Sequence, residues 1–304
     1  MFTHLLVPLD GSRLAETALP AAAALAERLH ARVTLLHVIE DNAPPEIHGE
    51  RHLTDTTEAE RYLTEMAAEW FPGGANVSAH VHAEGAASVA AAIVSHAVEL
   101  EADLIILCTH GRGGLRHRLF GSIAQSVVAH GRIPVLLVPP GDRRRPPFAC
   151  DRILLPLDTR TEHEESIPFG LALAEAWKAS VHVLAVVPTL GTLSGERAAT
   201  GTLLPGTTAA LLELEEEHAE EYLRGRVAEI RGAGVPVTAE VGRGAPAEVI
   251  VETAKRVRAD VIVLATHGKS GLGAFWAGSV APKVSHHARV PLLLVAIAPT
   301  REPA

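Results

Sequence analysis

Two stretches of this chain have the residue types and spacing to hold an anion. The first runs from Cys108 to Ser122 and carries Thr109-His110-Gly111, Arg112, Gly114 and Gly121-Ser122. The second runs from Ala265 to Ser279 and repeats the pattern, without a gap, as Thr266-His267-Gly268, Gly271 and Gly278-Ser279. Each follows a short apolar run and leads into a helical one. A helix start offers free N–H donors and the positive end of the backbone dipole, both suited to phosphate. Glycine lets backbone approach such a group without a Cβ in the way. Ser122 and Ser279 add a hydroxyl donor while serving as helix-start residues. Arg112, Arg116 and Arg118 could add charge-assisted contacts in the first stretch, where the second has Lys269. A tight strand-to-helix turn with a capping serine uses the same residues, so each stretch alone is open to either reading. Two familiar phosphate loops are excluded. No Gly-Lys-Ser/Thr follows the required glycine, and the first strand ends in Pro8-Leu9-Asp10-Gly11-Ser12, without Gly-x-Gly-x-x-Gly.

The elements that position these stretches are repeated as well. Leu5 to Asp10 matches Ile153 to Asp158, Val33 to Val38 matches Val181 to Val186, and Ala102 to Leu107 matches Ala259 to Leu264. Ile133 to Val138 likewise matches Val290 to Val295. A repeat this long makes each copy a whole domain. In 304 residues the expected domains are 1–140 and 151–298, joined over 141–150 by an exposed Pro- and Arg-rich linker. In copy one, the apolar runs 4–9, 32–39, 103–108 and 133–138 suit strands buried on both faces, as in a parallel sheet. A weaker, alternating strand is expected over 76–83. Helices are expected over 12–30, 56–70, 86–100 and 122–130, so the class is α/β. Segments 41–54 and 188–208 read as irregular.

Composition removes several function classes. A net charge of −9 argues against a general nucleic-acid binder. No apolar stretch of about 20 residues exists to cross a membrane, and the start carries no signal-peptide pattern. Cys108 and Cys150 occupy unrelated repeat positions, which fits a reducing, cytoplasmic setting and no disulfide. Cys108 reads as a small apolar filler at a strand end. His110 and His267 either contact phosphate or fix the turn. His80 and His82 share a strand face without a carboxylate or cysteine companion in sequence, so no metal site is expected. The acidic run Glu213, Glu215, Glu216, Glu217, Glu220 and Glu221 reads as a solvated helix face.

Leu5-Leu6-Val7-Pro8-Leu9-Asp10-Gly11-Ser12, Leu35-Leu36-His37-Val38, and the run from Ala102 through Thr109-His110-Gly111 to Gly121-Ser122 together resemble the universal stress protein family. The chain looks like a tandem member, covered almost throughout. The resemblance implies an adenine nucleotide alpha hydrolase-like fold: in each domain a five-stranded parallel sheet, order 3-2-1-4-5, flanked by helices. Strands one and four are then adjacent, and the Asp end and the glycine loop flank the topological switch point. It also implies binding of ATP, AMP or ADP, with Mg²⁺ accompanying a triphosphate.

By the same resemblance Pro8, Leu9 and Asp10 border adenine and ribose, and Val38 contributes backbone contacts to the base. Leu107 and Gly111 lie beside ribose and phosphates, joined by Cys108, Arg112 and Gly114. Gly121, Ser122, Ile123 and Ala124 present donors to the phosphate chain. Copy two would use Pro156, Leu157, Asp158, Val186, Leu264, Ala265, Gly268, Gly271, Gly278, Ser279, Val280 and Ala281. The family pattern has glycine where this chain has Cys108 and Ala265. If the backbone there needs φ > 0, or the nucleotide passes closely, each Cβ costs about 1 kcal/mol. Copy two also replaces Gly11-Ser12 with Thr159-Arg160, so copy one is expected to be the better site. The implied function is a stress-response sensor or regulator without a dedicated reaction, its domains forming an internal pseudo-dimer through strands 133–138 and 290–295. A further homodimer is compatible with this. An empty interaction scaffold and a slow ATPase are the alternatives.

Overall fold

The computed structural model describes residues 2–41, 43, 46–47, 50–73, 76–86, 88–109, 122–130, 132–141, 148–160, 164–267 and 280–297. By compactness the chain divides into two units. One comprises residues 1–149 with 266–278 and 291–304, the other residues 150–265 with 279–290.

Unit 1 runs β1 (His4–Pro8), α1 (Leu19–Leu29), β2 (Arg32–Glu40), the two-residue strands β3 (Glu46–Ile47) and β4 (Glu50–Arg51), then α2 (Thr56–Trp70). It continues with β5 (Val77–Ala86), α3 (Val89–Glu99), β6 (Leu104–Cys108), α4 (Ser122–His130) and β7 (Val135–Val138). β1 pairs in parallel with β2 on one side and β6 on the other. β5 extends the sheet beyond β2 and β7 beyond β6, again in parallel. Counted within the copy, that is 3-2-1-4-5. Leu5, Leu6, Val7, Leu35, Leu36, Ile105, Ile106 and Leu137 are fully or almost fully buried, because helices cover both faces of a parallel sheet.

Local chemistry sets the boundaries. The Asp55 side chain caps α2 by accepting from Glu58 N at 2.9 Å, and Ser88 caps α3 by accepting from Ala91 N at 3.3 Å. The helix expected from residue 12 begins instead at Leu19, after a 3-10 turn over Ala15–Ala18. Side-chain hydrogen bonds around Asp10 hold residues 10–15 in a turn, and Pro20 sits where the first turn of a helix tolerates it.

Unit 2 repeats the plan with β8 (Arg152–Leu157), α5 (Ser166–Trp177), β9 (Ser180–Val187), α6 (Gly195–Leu203), α7 (Pro205–Gly232) and β10 (Val237–Arg243). α8 (Pro246–Arg256), β11 (Val261–His267) and α9 (Val280–His287) follow. Its strands are parallel in the order β10-β9-β8-β11. The segment 188–208, read as irregular from its Gly, Thr and Ser, is largely helical. Thr200 and Thr202 donate their hydroxyls to Glu196 O and Ala198 O, both at 3.0 Å, which satisfies these side chains inside the helix. The chain's last strand, β12 (Leu292–Ile297), groups with unit 1, where Leu292, Leu293 and Leu294 pair antiparallel with Leu137, Leu136 and Val135.

The repeated Ala-Asp pair works at the opposite end of the strands from the glycine loops. Asp103 accepts from Thr3 N and Oγ1, both at 2.7 Å, and from His4 N at 3.0 Å. Asp260 accepts from Asp151 N at 2.8 Å and Arg152 N at 2.9 Å. Each carboxylate thereby fixes the start of its copy's first strand.

Candidate functional site

In unit 1 the chain leaves β1 toward β2 and later returns across it to β6, so the carboxyl ends of β1 and β6 lie at the topological switch point, where open α/β sheets form a ligand crevice. Pro8, Leu9 and Asp10 lie at the end of β1. Pro8 pairs with Leu36, which puts Val38 two residues further along β2 at the same edge. Leu107 and Cys108 end β6, with Cys108 paired to Val138. Ser122, Ile123 and Ala124 form the first turn of α4 and are exposed, half-buried and buried in turn. In unit 2, Pro156 and Leu157 end β8, Val186 lies near the end of β9, Leu264 and Ala265 lie in β11, and Val280 and Ala281 open α9. Gly111, Arg112, Gly114, Gly121, Gly268, Gly271, Gly278 and Ser279 lie outside the described residues, as do His110, Arg116, Arg118 and Lys269.

Both copies hold their aspartate in the same turn. Asp10 Oδ1 accepts from Ser12 N at 2.9 Å and Ser12 Oγ at 2.7 Å, and Ser12 Oγ accepts from Ala15 N at 3.2 Å. Asp158 Oδ1 accepts from Arg160 N at 3.1 Å. The residue between must turn left-handed: Gly11 has φ +86° and Thr159 has φ +65°. A branched side chain is strained there. Cys108 and Ala265 lie in strands and neither has a positive φ. The backbone condition under which their Cβ atoms would cost energy is therefore not met. The strain sits at Thr159 instead.

Sequence reasoning missed what covers this turn. A Cβ on Gly11 would lie 2.8 Å from both Cγ and Cδ1 of Leu53. Leu53 is held in place by His37, whose ring is 1% exposed. His37 Nδ1 lies 2.8 Å from Leu9 O and Nε2 lies 2.9 Å from Leu53 O. A neutral imidazole donates to one carbonyl; only the doubly protonated ring donates to both. Copy two has Ala185 at this position, so the tie belongs to copy one.

A second missed pair occurs in both copies. Tyr62 donates to Glu16 Oε1 at 3.2 Å, and Tyr222 donates to Glu164 Oε1 at 2.7 Å. Burial, then the Glu164 hydrogen bond, pushes the Tyr222 phenol up. Arg226 also donates to Glu164, at 2.9 Å. The signal was present in the sequence: each glutamate follows its site aspartate by the same interval.

Away from the crevice, His80 and His82 on β5 do have companions, brought by α3. His96 Nε2 lies 2.9 Å from His82 Nδ1, the His80 and His96 ring centroids are 4.6 Å apart, and His96 Nδ1 lies 3.2 Å from Glu99 Oε2. Burial, then the neighbouring His80 and His82, lowers the His96 pKa. In copy two, Glu240, Thr253 and Arg256 occupy the corresponding strand and helix positions. Burial pushes the Glu240 carboxyl up, but hydrogen bonds from Arg256 and His182 outweigh it and hold the group below its usual range. Among the described residues no group of three His, Cys, Asp or Glu side chains converges to hold a metal ion. Cys150 is fully buried; burial, then Asp260 and Asp151, pushes its thiol up. No helix among the described residues is long and apolar enough to cross a membrane.

The universal stress protein family model matches the chain twice, over residues 1–139 and 150–296. A universal stress protein of Mycobacterium bovis is 30% identical over 196 residues, 64% of this chain and 62% of its own length. The chain thus spans less than two thirds of that relative. A universal stress protein of Mycobacterium tuberculosis is 29% identical over 308 residues and is matched over 95% of each chain. In fold, a Pseudomonas aeruginosa protein is similar at a TM-score of 0.68 and 19% identity, covering 97% of this chain and 93% of its own. A universal stress protein from Archaeoglobus fulgidus is similar at 0.64 and 17% identity, covering 97% of each. With two copies of the parallel sheet, the repeated Asp turn and a family match over nearly every residue, the chain belongs to the universal stress protein family.

Proposed function

We propose that the crevice at the carboxyl ends of β1 and β6 binds an adenine nucleotide, and that occupancy changes the conformation or assembly of the protein as a stress-response signal. The observation that carries this reading is the Asp turn, repeated at the switch point of both copies and followed in each by a glycine loop and a helix start. Pro8, Leu9, Asp10 and Val38 would border base and ribose. Leu107, Cys108 and the first turn of α4 would face the phosphates, together with Gly111, Arg112, Gly114 and Gly121. Mg²⁺ would come with a triphosphate, held mainly by phosphate oxygens, since no protein cage for an ion forms among the described residues. No dedicated turnover is part of the reading. Copy one is the better site: Gly11 and the His37–Leu53 tie shape its turn without strain, whereas copy two turns on Thr159.

Calorimetry with ATP and Mg²⁺ tests this. Binding is expected, and substitution at Gly121 or Ser122 is expected to weaken it. No heat and no melting shift at millimolar ATP removes the proposal. Native mass spectrometry of freshly purified protein adds an independent reading, because a retained adenine nucleotide is incompatible with an empty scaffold.

A further inference from the structure

Among the described residues six large apolar side chains are exposed, and five fall in one segment of unit 2. They are Leu190, Leu203, Leu204, Leu211 and Leu214, at 44%, 80%, 56%, 52% and 59% exposure. Leu204, Leu211 and Leu214 alone present on the order of 300 Å² of apolar surface, within the range of the largest patch on an ordinary monomer. The segment is ordered by its own packing. α6 folds back on α7: Gly201 lies against Leu193, Thr208 and Leu190, and Arg197 pairs with Glu215 at 2.6 Å. Among the described residues, copy one has no helix between its second strand and α2, where the short strands β3 and β4 pair instead.

α7 therefore has two apolar faces where a surface helix needs one. Thr208, Leu212, Ala219, Leu223 and Ile230 are buried. Leu204, Leu211 and Leu214 recur at spacings of seven and three, with Thr207 and His218 in phase, and form a second stripe turned outward. One flank of the stripe carries Glu217 and Glu221, both exposed and without a cationic partner among the described residues. The Arg197–Glu215 pair closes the other flank.

We propose that this stripe is a docking surface for a basic amphipathic helix of another protein, its leucine-type side chains meeting Leu204, Leu211 and Leu214 and its Lys or Arg residues meeting the acidic flank. Charge selects this occupant. A second copy of the chain, paired antiparallel through α7, would set the acidic flank of one helix against the same flank of the other, and like charges so opposed are unfavourable. An anionic membrane surface is repelled by the same glutamates.

The test uses the full chain and two synthetic helical peptides of about 18 residues, with identical leucine spacing and either Lys/Arg or Glu on the flanks. Fluorescence anisotropy should show micromolar binding of the basic peptide that weakens with salt, and none of the acidic one. Leu211→Ser with Leu214→Ser, which changes only exposed side chains, should weaken binding about tenfold or more while circular dichroism stays unchanged. Glu217→Gln with Glu221→Gln should remove most of the salt dependence. The proposal is overturned if the basic peptide does not bind, if the serine variant binds it equally well, or if both peptides bind alike. It is equally overturned if sedimentation shows self-association that the serine variant abolishes, because the occupant is then a second copy.

Discussion

Gly11→Ala is the substitution that most directly probes how copy one is built. Two costs arise at one atom. At φ +86° a Cβ faces the left-handed penalty of about 1–2 kcal/mol. It would also stand 2.8 Å from Leu53 Cγ and Cδ1. Leu53 is 9% exposed and its carbonyl lies 2.9 Å from the His37 ring, so its escape is limited and overpacking adds about 1–3 kcal/mol. The total is about 2–5 kcal/mol. A double-mutant cycle with Leu53→Ala separates the parts, because that change deletes both atoms the Cβ would strike. In the Leu53→Ala background, Gly11→Ala should cost only the backbone strain, leaving a coupling of about 1–3 kcal/mol. A chain of two units need not unfold in one step, so global melts are a poor readout. Hydrogen exchange of β1 and β2 amides, read by mass spectrometry, reports on unit 1 itself. A cost below about 0.5 kcal/mol, or equal costs in both backgrounds, would refute the reasoning.

Three further outcomes follow from the same geometry. Thr159→Gly should stabilise unit 2 by about 1 kcal/mol, the relieved strain less the extra backbone entropy of glycine, seen as slower exchange in β8 and β9. The His96 pKa is lowered in the fold, by burial first and then by His80 and His82. The unfolded chain therefore takes up this proton first as pH falls below the ordinary value of 6.5. Unit 1 should lose stability from about pH 7 downward through that range, and His96→Asn should flatten the slope of urea midpoint against pH; an unchanged slope contradicts the assignment. Burial, then Arg32, lowers the His4 pKa in the same sense, so some slope should remain. Cys108 is half-buried and Cys150 buried with its thiol pushed up, so iodoacetamide should label Cys108 first, with Cys150 reacting on unfolding. ATP should slow labelling of Cys108 if the nucleotide lies where we propose, and unaltered labelling at saturating ATP would count against that placement.

Much of this protein is legible in its sequence because the signals are local and said twice. Buried strands read as apolar runs, and Asp55 and Ser88 mark helix starts by an interaction spanning three residues. The Asp turn likewise needs only residues 10–15. What neighbours in space do to one another was not legible. That the backbone strain lies at Thr159 and not at Cys108 or Ala265 is a matter of backbone angles, which no residue type states. The Gly11–Leu53–His37 arrangement joins three segments, and its energy comes from a methyl-sized gap that only packing defines. His96 reaches His80 and His82 because a crossover helix lays its face on an edge strand. The 188–208 segment became helix because threonine hydroxyls found carbonyls one turn back, against the propensity of its composition. By itself, then, the sequence determined the repeat and most of the strand and helix pattern, since these depend on near neighbours along the chain. The tertiary structure alone decided which turn is strained, which histidines meet and which leucines stay outside, since burial and contact arise only when distant segments share one volume.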